Sequence, residues 1–194
     1  MGSLLHDSFY GLGPSEKRAY DVSVDLLHFV QPASPSSQGF AWFGRAGLLL
    51  ALLGEPRHLH PGIPDAIAAL RKETLIAAHQ SLDTLNLLSA LVYGCLGPPA
   101  VGCTVVLPSA LAEDESRALA LLREPGSHHL LAIVADRQAD ARLLVQDLNI
   151  PLWPIGRTTG QSLIIRRSEG PESDPFPTLL HCSLTDLQHQ PPQP

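Results

Sequence analysis

The sequence predicts an α/β (α+β) domain, a two-layer sandwich in which helices pack on one mixed sheet. Three observations predict it. Short apolar runs bounded by glycine or proline recur along the chain and have strand length. Segments with leucines at helical spacing lie between them. Those helical segments are apolar on one side only, so each needs a sheet or another helix to cover that side.

The chain has 194 residues, 44% of them hydrophobic, which suffices for one domain with a sizeable core. Lysine and arginine number 13 against 19 aspartates and glutamates, a formal charge of -6. Binding to polyanions calls for a basic excess, so neither nucleic acid nor an anionic membrane is an expected partner. No run approaches the roughly 20 apolar residues that span a bilayer. Cys95, Cys103 and Cys182 are widely spaced and form no C-x-x-C pair, so they read as small buried hydrophobes in a reducing compartment. The opening MGSLLHDSFYG lacks the basic start and apolar run of a secretory leader. A cytoplasmic location is the expectation.

Residues 1–39 read as an N-terminal arm and linker. Asp21 to Leu26 alternates polar and apolar as a half-buried strand does, and Gln31 to Gly39 has linker composition. The compact domain is placed at 40–168, and the Pro, Ser, Glu, Gln and His composition of 169–194 predicts a disordered tail.

Within the domain, Gly47 to Gly54 is an apolar run too short for most helices, and it predicts a strand buried on both faces. Pro64 and Asp65 suit the first turn of a helix whose Ile63, Ile67, Leu70 and Leu75 share one face, and that helix is expected to run toward His79. A polar break, Gln80 to Asn86, precedes a second helix carrying Leu87, Leu88, Leu91 and Cys95, stopped by Gly97-Pro98-Pro99. Val101 to Leu107 is β-branched and ends at a proline, as a strand does. Ser109 is the expected cap of a helix with Leu111, Leu119 and Leu122 inward, open to interruption at the acidic Glu113-Asp114-Glu115 and ended by Pro125-Gly126. His129 to Ala135 reads as a strand, Asp136 as the cap of the helix Arg137 to Leu148, and Asn149 as its left-handed close. Ile150 to Ile155 and Gln161 to Arg166 read as two strands joined by a glycine-bounded turn.

Several motifs fall in a recognisable order: Leu52-Leu53-Gly54-Glu55, Ala78-His79-Gln80-Ser81-Leu82-Asp83, Ala90-Leu91, Arg123-Glu124 before a strand, and Ile155-Gly156-Arg157-Thr158-Thr159. From Gly47 to Arg166 the chain resembles the C-terminal domain of the aminoimidazole ribonucleotide (AIR) synthase superfamily. It is most similar to the formylglycinamide ribonucleotide amidotransferase (phosphoribosylformylglycinamidine synthase) branch, a group of ATP-dependent purine-biosynthesis ligases. There the corresponding motifs are L-L-L-G-E, A-H-D-x-S-x-G-G-L-x-x-A-L, S-E and I-G-x-V-T. The resemblance implies ATP and magnesium as ancestral cofactors.

The departures from that pattern argue against a retained reaction. Gln80 stands where the family has aspartate, and Thr84 and Leu85 stand where it has two glycines, with Asn86 as an inserted residue. An aspartate can hold magnesium, and glycines let backbone N-H groups approach a phosphate; glutamine, threonine and leucine do neither readily. Residues 1–46 contain no phosphate loop of the kind that the family's ATP-binding half carries. The expectation is a divergent domain, catalytically silent alone and without a cofactor of its own, whose partner is a separate ATP-binding half or another protein. A non-catalytic interaction module on the same scaffold is the alternative.

His79 and Asp83 are the first candidate site residues, since four positions on a continuous helix would pair them for acid-base work. The competing reading is a helix-end histidine bonded to a local carbonyl. Glu124 is the third candidate, against a solvated helix end. Arg57 and Arg157 are candidates for anion binding, although scattered arginines usually cover apolar surface. No metal site is expected: His128 and His129 are adjacent and would point to opposite faces of a strand, and His58-x-His60 lacks a third ligand. Trp42, Phe43 and Trp153 read as core or hinge anchors, with Trp42 suited to a partner interface if exposed.

Overall fold

The run Leu49–Leu53 forms β1, and four of its five residues are buried. Its neighbours are both antiparallel: β4 (His129–Ile133) on one side and β5 (Leu152–Thr158) on the other. Leu50 and Leu52 enter one apolar cluster, whereas Ala51 and Leu53 enter a second. Successive strand side chains point to opposite faces, so the sheet is covered on both sides here. That explains why the sequence shows an unbroken apolar run instead of alternation.

The computed structural model describes residues 26–31, 42–55, 58–168 and 176–189. Its sheet has seven strands in the order β2-β4-β1-β5-β3-β6-β7, where β2 is Ile76–Ser81, β3 Cys103–Leu107, β6 Ser162–Arg167 and β7 Thr178–Ser183. Only β3 and β6 run parallel, so the sheet is mixed, as the sequence reading expects. Helices α1 (Ile63–Lys72) and α4 (Gln138–Asp147) pack on the face of Ala51 and Leu53. Helices α2 (Leu87–Leu96), α3 (Glu115–Arg123) and α5 (Leu184–His189) cover the face of Leu50 and Leu52. Helices thus lie on both faces, where the sequence reading places them in a single layer.

The largest difference concerns 72–81. The helix expected to run toward His79 stops at Lys72, because Thr74 takes a left-handed φ of 54°. The Thr74 amide donates to the Arg71 carbonyl and the Leu75 amide to the Leu70 carbonyl, at 3.0 and 2.9 Å. That is the double bond of a Schellman end, with Leu75 buried against Leu70. The chain then reverses, and Ile76–Ser81 pairs with β4 as an edge strand. Threonine at a position that favours glycine hides this stop from sequence reading.

Three smaller expectations also change. Ser109 caps no helix: α3 begins six residues later, with the Asp114 carboxylate accepting from the Arg117 amide at 2.8 Å. Asp136 lies in a short turn of 3-10 helix ahead of α4 and caps nothing, while Asn149 has the expected left-handed φ of 54°. The strands β5 and β6 are no hairpin, because β3 lies between them. A bulge in β5 puts Ile155 out of register between Gly156 and Pro154. Gly156 is required there, since a Cβ would run into the backbone carbonyl of Thr104 on β3.

Both flanks of the expected domain contribute to the core. Of the arm, the strand expected at 21–26 and the linker at 31–39 lie almost wholly outside the described residues. The described piece 26–31 buries Leu26 and ties onto α2. There Asn86 Nδ2 donates to the Phe29 carbonyl at 2.9 Å and the Tyr93 hydroxyl to the Gln31 carbonyl at 2.6 Å. The disordered tail expected at 169–194 is corrected for 178–189, which forms β7 and α5 and buries Leu179, Leu180, Leu184 and Leu187. Its polar composition concealed four well-spaced leucines. Cys95 and Cys103 are buried free thiols 3.5 Å apart, in keeping with their reading as small hydrophobes, and Cys182 is half-buried. Among the described residues no helix is long and apolar enough to cross a membrane.

Two variants test this architecture by urea denaturation. Leu180→Ala should lose about 3 kcal/mol, as a large-to-small change in a packed core does; a residue in an unstructured tail would change nothing. Gly156→Ala should lose a similar amount, about 3 kcal/mol, because the rigid Thr104 backbone cannot move aside.

Candidate functional site

The reversal at Thr74 decides what His79 can do. On β2 it faces the α1 side of the sheet, and its partners come from elsewhere in the chain. Arg71, in the last turn of α1, lies with Nη2 3.1 Å from His79 Nδ1, and His79 Nε2 is 3.0 Å from His129 Nδ1. The two rings are stacked with centroids 5.2 Å apart. Arginine can only donate, so Nδ1 of His79 accepts, the ring proton sits on Nε2, and that proton is donated to His129. Burial, then His129 and Arg71, push the His79 pKa down to about 4. His129 is also lowered, mainly by burial, against an opposing pull from Asp83. Both ring nitrogens of His79 are therefore engaged and the ring is neutral, which leaves no free lone pair for base catalysis.

Asp83 does not pair with His79 along a helix, since no helix passes through them. Its carboxylate accepts from the Ser81 hydroxyl at 2.8 Å, within the exposed loop after β2. Gln80, at the family's aspartate position, donates from Nε2 to the Ser81 carbonyl at 3.2 Å. Asn86, read as an insertion, is the N-cap of α2, accepting from the Ser89 amide at 2.8 Å. Leu82 and Leu85 are buried. The loop has become part of the packing.

Glu124 lies on the other face of the sheet. It stands at the end of α3 beside a cavity of about 440 Å³, walled by Leu111, Ala120 and Leu121 and reaching Glu55, His128 and Trp153. The adjacent histidines are divided as strand geometry requires: His129 joins His79 on one face, and His128 lines the cavity on the other. His128 is 1% exposed, and neither of its nitrogens has a partner. Nε1 of Trp153 is also buried without a partner. Burial, helped by His129, lowers the His128 pKa to about 4.

Of the anion candidates, Arg157 is exposed on β5 between Leu49 and Thr104 and is not part of the cavity lining, and Arg57 lies outside the described residues. Among the described residues no three His, Cys, Asp or Glu side chains are grouped to hold a metal. Sequence reasoning missed Arg71, whose only signal was a basic residue in a last helical turn. It also took Trp153 as a plain core anchor, because orphaned nitrogens have no signature in a sequence.

No family model matches the sequence, and no curated protein matches it. Solved structures do. The Thermotoga maritima PurL complexed with ATP aligns with a TM-score of 0.60 at 11% identity, covering 84% of this chain and 29% of that one. The same organism's PurL complexed with FGAR aligns at 0.61 and 10% identity, over 79% and 30%. Its phosphoribosylformylglycinamidine synthase II aligns at 0.58 and 12% identity, over 79% and 28%. The fold is AIR synthase-like. Identities this low establish the fold alone, and the chain spans under a third of the length of these PurL chains. The AIR synthase-like fold agrees with the motif order read from Gly47 to Arg166.

The lowered histidines set a pH dependence. In the unfolded chain they take up protons below their ordinary value of 6.5, whereas folded His79 and His128 resist protonation to about 4. The unfolded state binds more protons in that window, so stability is full above it and falls as pH drops from 6.5 toward 4. Urea midpoints should decline on going from about pH 7 to about pH 5, and the decline should be shallower in His79→Gln.

Proposed function

We propose that this chain is a divergent C-terminal-type domain of a purine-biosynthesis, AIR synthase-like protein, and that it is catalytically silent by itself. One observation carries the reading: the chemistry-bearing residues do not converge. His79 and Asp83 sit at the α1 face of the sheet, each already engaged, while Glu124 lies at the α3 face. The loop after β2, where the resembled family has aspartate and glycines, is occupied by buried leucines and the Asn86 cap. The alignment with less than a third of each PurL chain also supports a part that acts with others. In this reading ATP and magnesium belong to a separate ATP-binding half, and this chain supplies the scaffold that such a half would dock on.

A protein-interaction role has one observation in its favour. Trp42 is 53% exposed while its ring root is seated on Gly97 at the end of α2, so the indole is held in place and open to a partner.

Titration calorimetry and an ATPase assay test the proposal. The chain alone with magnesium and ATP should give no binding heat and no phosphate release. ATP turnover by the isolated chain would overturn it. Turnover that appears only with an added ATP-binding half would support the two-part form.

A further inference from the structure

Burying a polar group without a hydrogen bond costs roughly 1 to 3 kcal/mol, so native structures retain few of them. Here three such nitrogens belong to two residues that line one cavity: Nδ1 and Nε2 of His128, and Nε1 of Trp153. The cavity, about 440 Å³, has the size of a small-molecule site. Two residues of its lining therefore hold hydrogen-bonding capacity that no protein group uses, with the nitrogens themselves just beneath the cavity surface.

The rest of the lining narrows what can use it. A neutral imidazole offers one N-H and one lone pair, and the indole offers one N-H. An occupant must bring both an acceptor and a donor to these two side chains. At the mouth, Glu55 and Glu124 are acceptors. The cationic residue there, Arg117, is held by Glu113 at 3.0 Å, and His58 lies 4.0 Å from Glu55. The mouth thus favours N-H donors and repels anions. Leu111, Ala120, Leu121 and Pro125 supply apolar walls suited to a flat ring.

We infer that this cavity binds a small planar, uncharged ligand carrying an amide or a ring amine: with the His128 and Trp153 rings turned toward it, its acceptor takes their N-H groups, one of its N-H groups meets the remaining His128 nitrogen, and another faces Glu124 or Glu55. The site lies across the sheet from the histidine pair of β2 and β4 and borders the loop after β2, where the Gly126 amide donates to the Leu82 carbonyl at 2.7 Å and the Leu82 amide to the His128 carbonyl at 3.1 Å. It does not depend on the domain being catalytically silent: ATP turnover would overturn that reading and leave this one standing.

Benzamide and benzoate test it, because they share a shape and differ in donors and charge. Binding is followed in the full chain by melting temperature and by the Trp153 indole N-H resonance, assigned through its loss in Trp153→Phe. Benzamide should raise the melting temperature and move that resonance, with benzoate and inorganic phosphate at least about tenfold weaker. His128→Phe should keep the far-ultraviolet circular dichroism and lose the benzamide response. Should that variant fail to fold, Glu124→Gln at the exposed mouth serves instead, and the preference for benzamide over benzoate should shrink. No response to benzamide, equal binding of benzoate or phosphate, or a discrimination unchanged in Glu124→Gln would each overturn the inference.

Discussion

The structure depends on β1 being buried from both sides. A strand that pairs with β4 and β5 and also carries apolar side chains on both faces needs helices above and below it. Each helical layer follows from that demand: α1 and α4 close one face, and α2, α3 and α5 the other. An apolar core of this extent is the main favourable term in the stability of the domain. It also sets the cost of altering β1, since a change at Leu50 or Leu52 disturbs one core and a change at Ala51 or Leu53 the other.

The same constraint separates the chemistry. Adjacent residues on a strand go to opposite faces, so the start of β4 sends His129 toward His79 and Arg71, and the residue before it, His128, into the cavity beneath α3. On one side Arg71, His79 and His129 form a chain of hydrogen bonds that engages both nitrogens of His79. The other is left with nitrogens that have none. The first arrangement stabilises an edge strand; the second is a place where something can be held. His79 is thus tied into the edge of the sheet by its hydrogen bonds, and His128 lines the cavity.

Much of the fold was legible in the residues. The apolar run of β1, the stop of α2 at Gly97-Pro98-Pro99, and the β-branched strand β3 follow from local chemistry, and the motif order pointed to an AIR synthase-like fold. The site was less legible. His79 and Asp83 looked like a pair because Lys72 to His79 has helical periodicity, and that periodicity was overruled by a Schellman stop without glycine. Leu179, Leu180, Leu184 and Leu187 lay in a segment whose overall polarity suggested a tail, although spacing and not average composition determines whether a segment can pack.

By itself the sequence determined the types of most elements between Gly47 and Arg166, the two-sided burial of β1, and the presence of Gln80, Thr84 and Leu85 after Ala78-His79 where the resembled motif has aspartate and glycines. Those are local properties: volume, branching, charge and the conformations that single residues allow. Only the tertiary structure decided that β3 lies between β5 and β6, that helices cover both faces, and that His128, Trp153 and Glu124 share one cavity while His79 lies across the sheet. These are long-range pairings, set by which buried surfaces fit together, and no window of neighbouring residues contains that information.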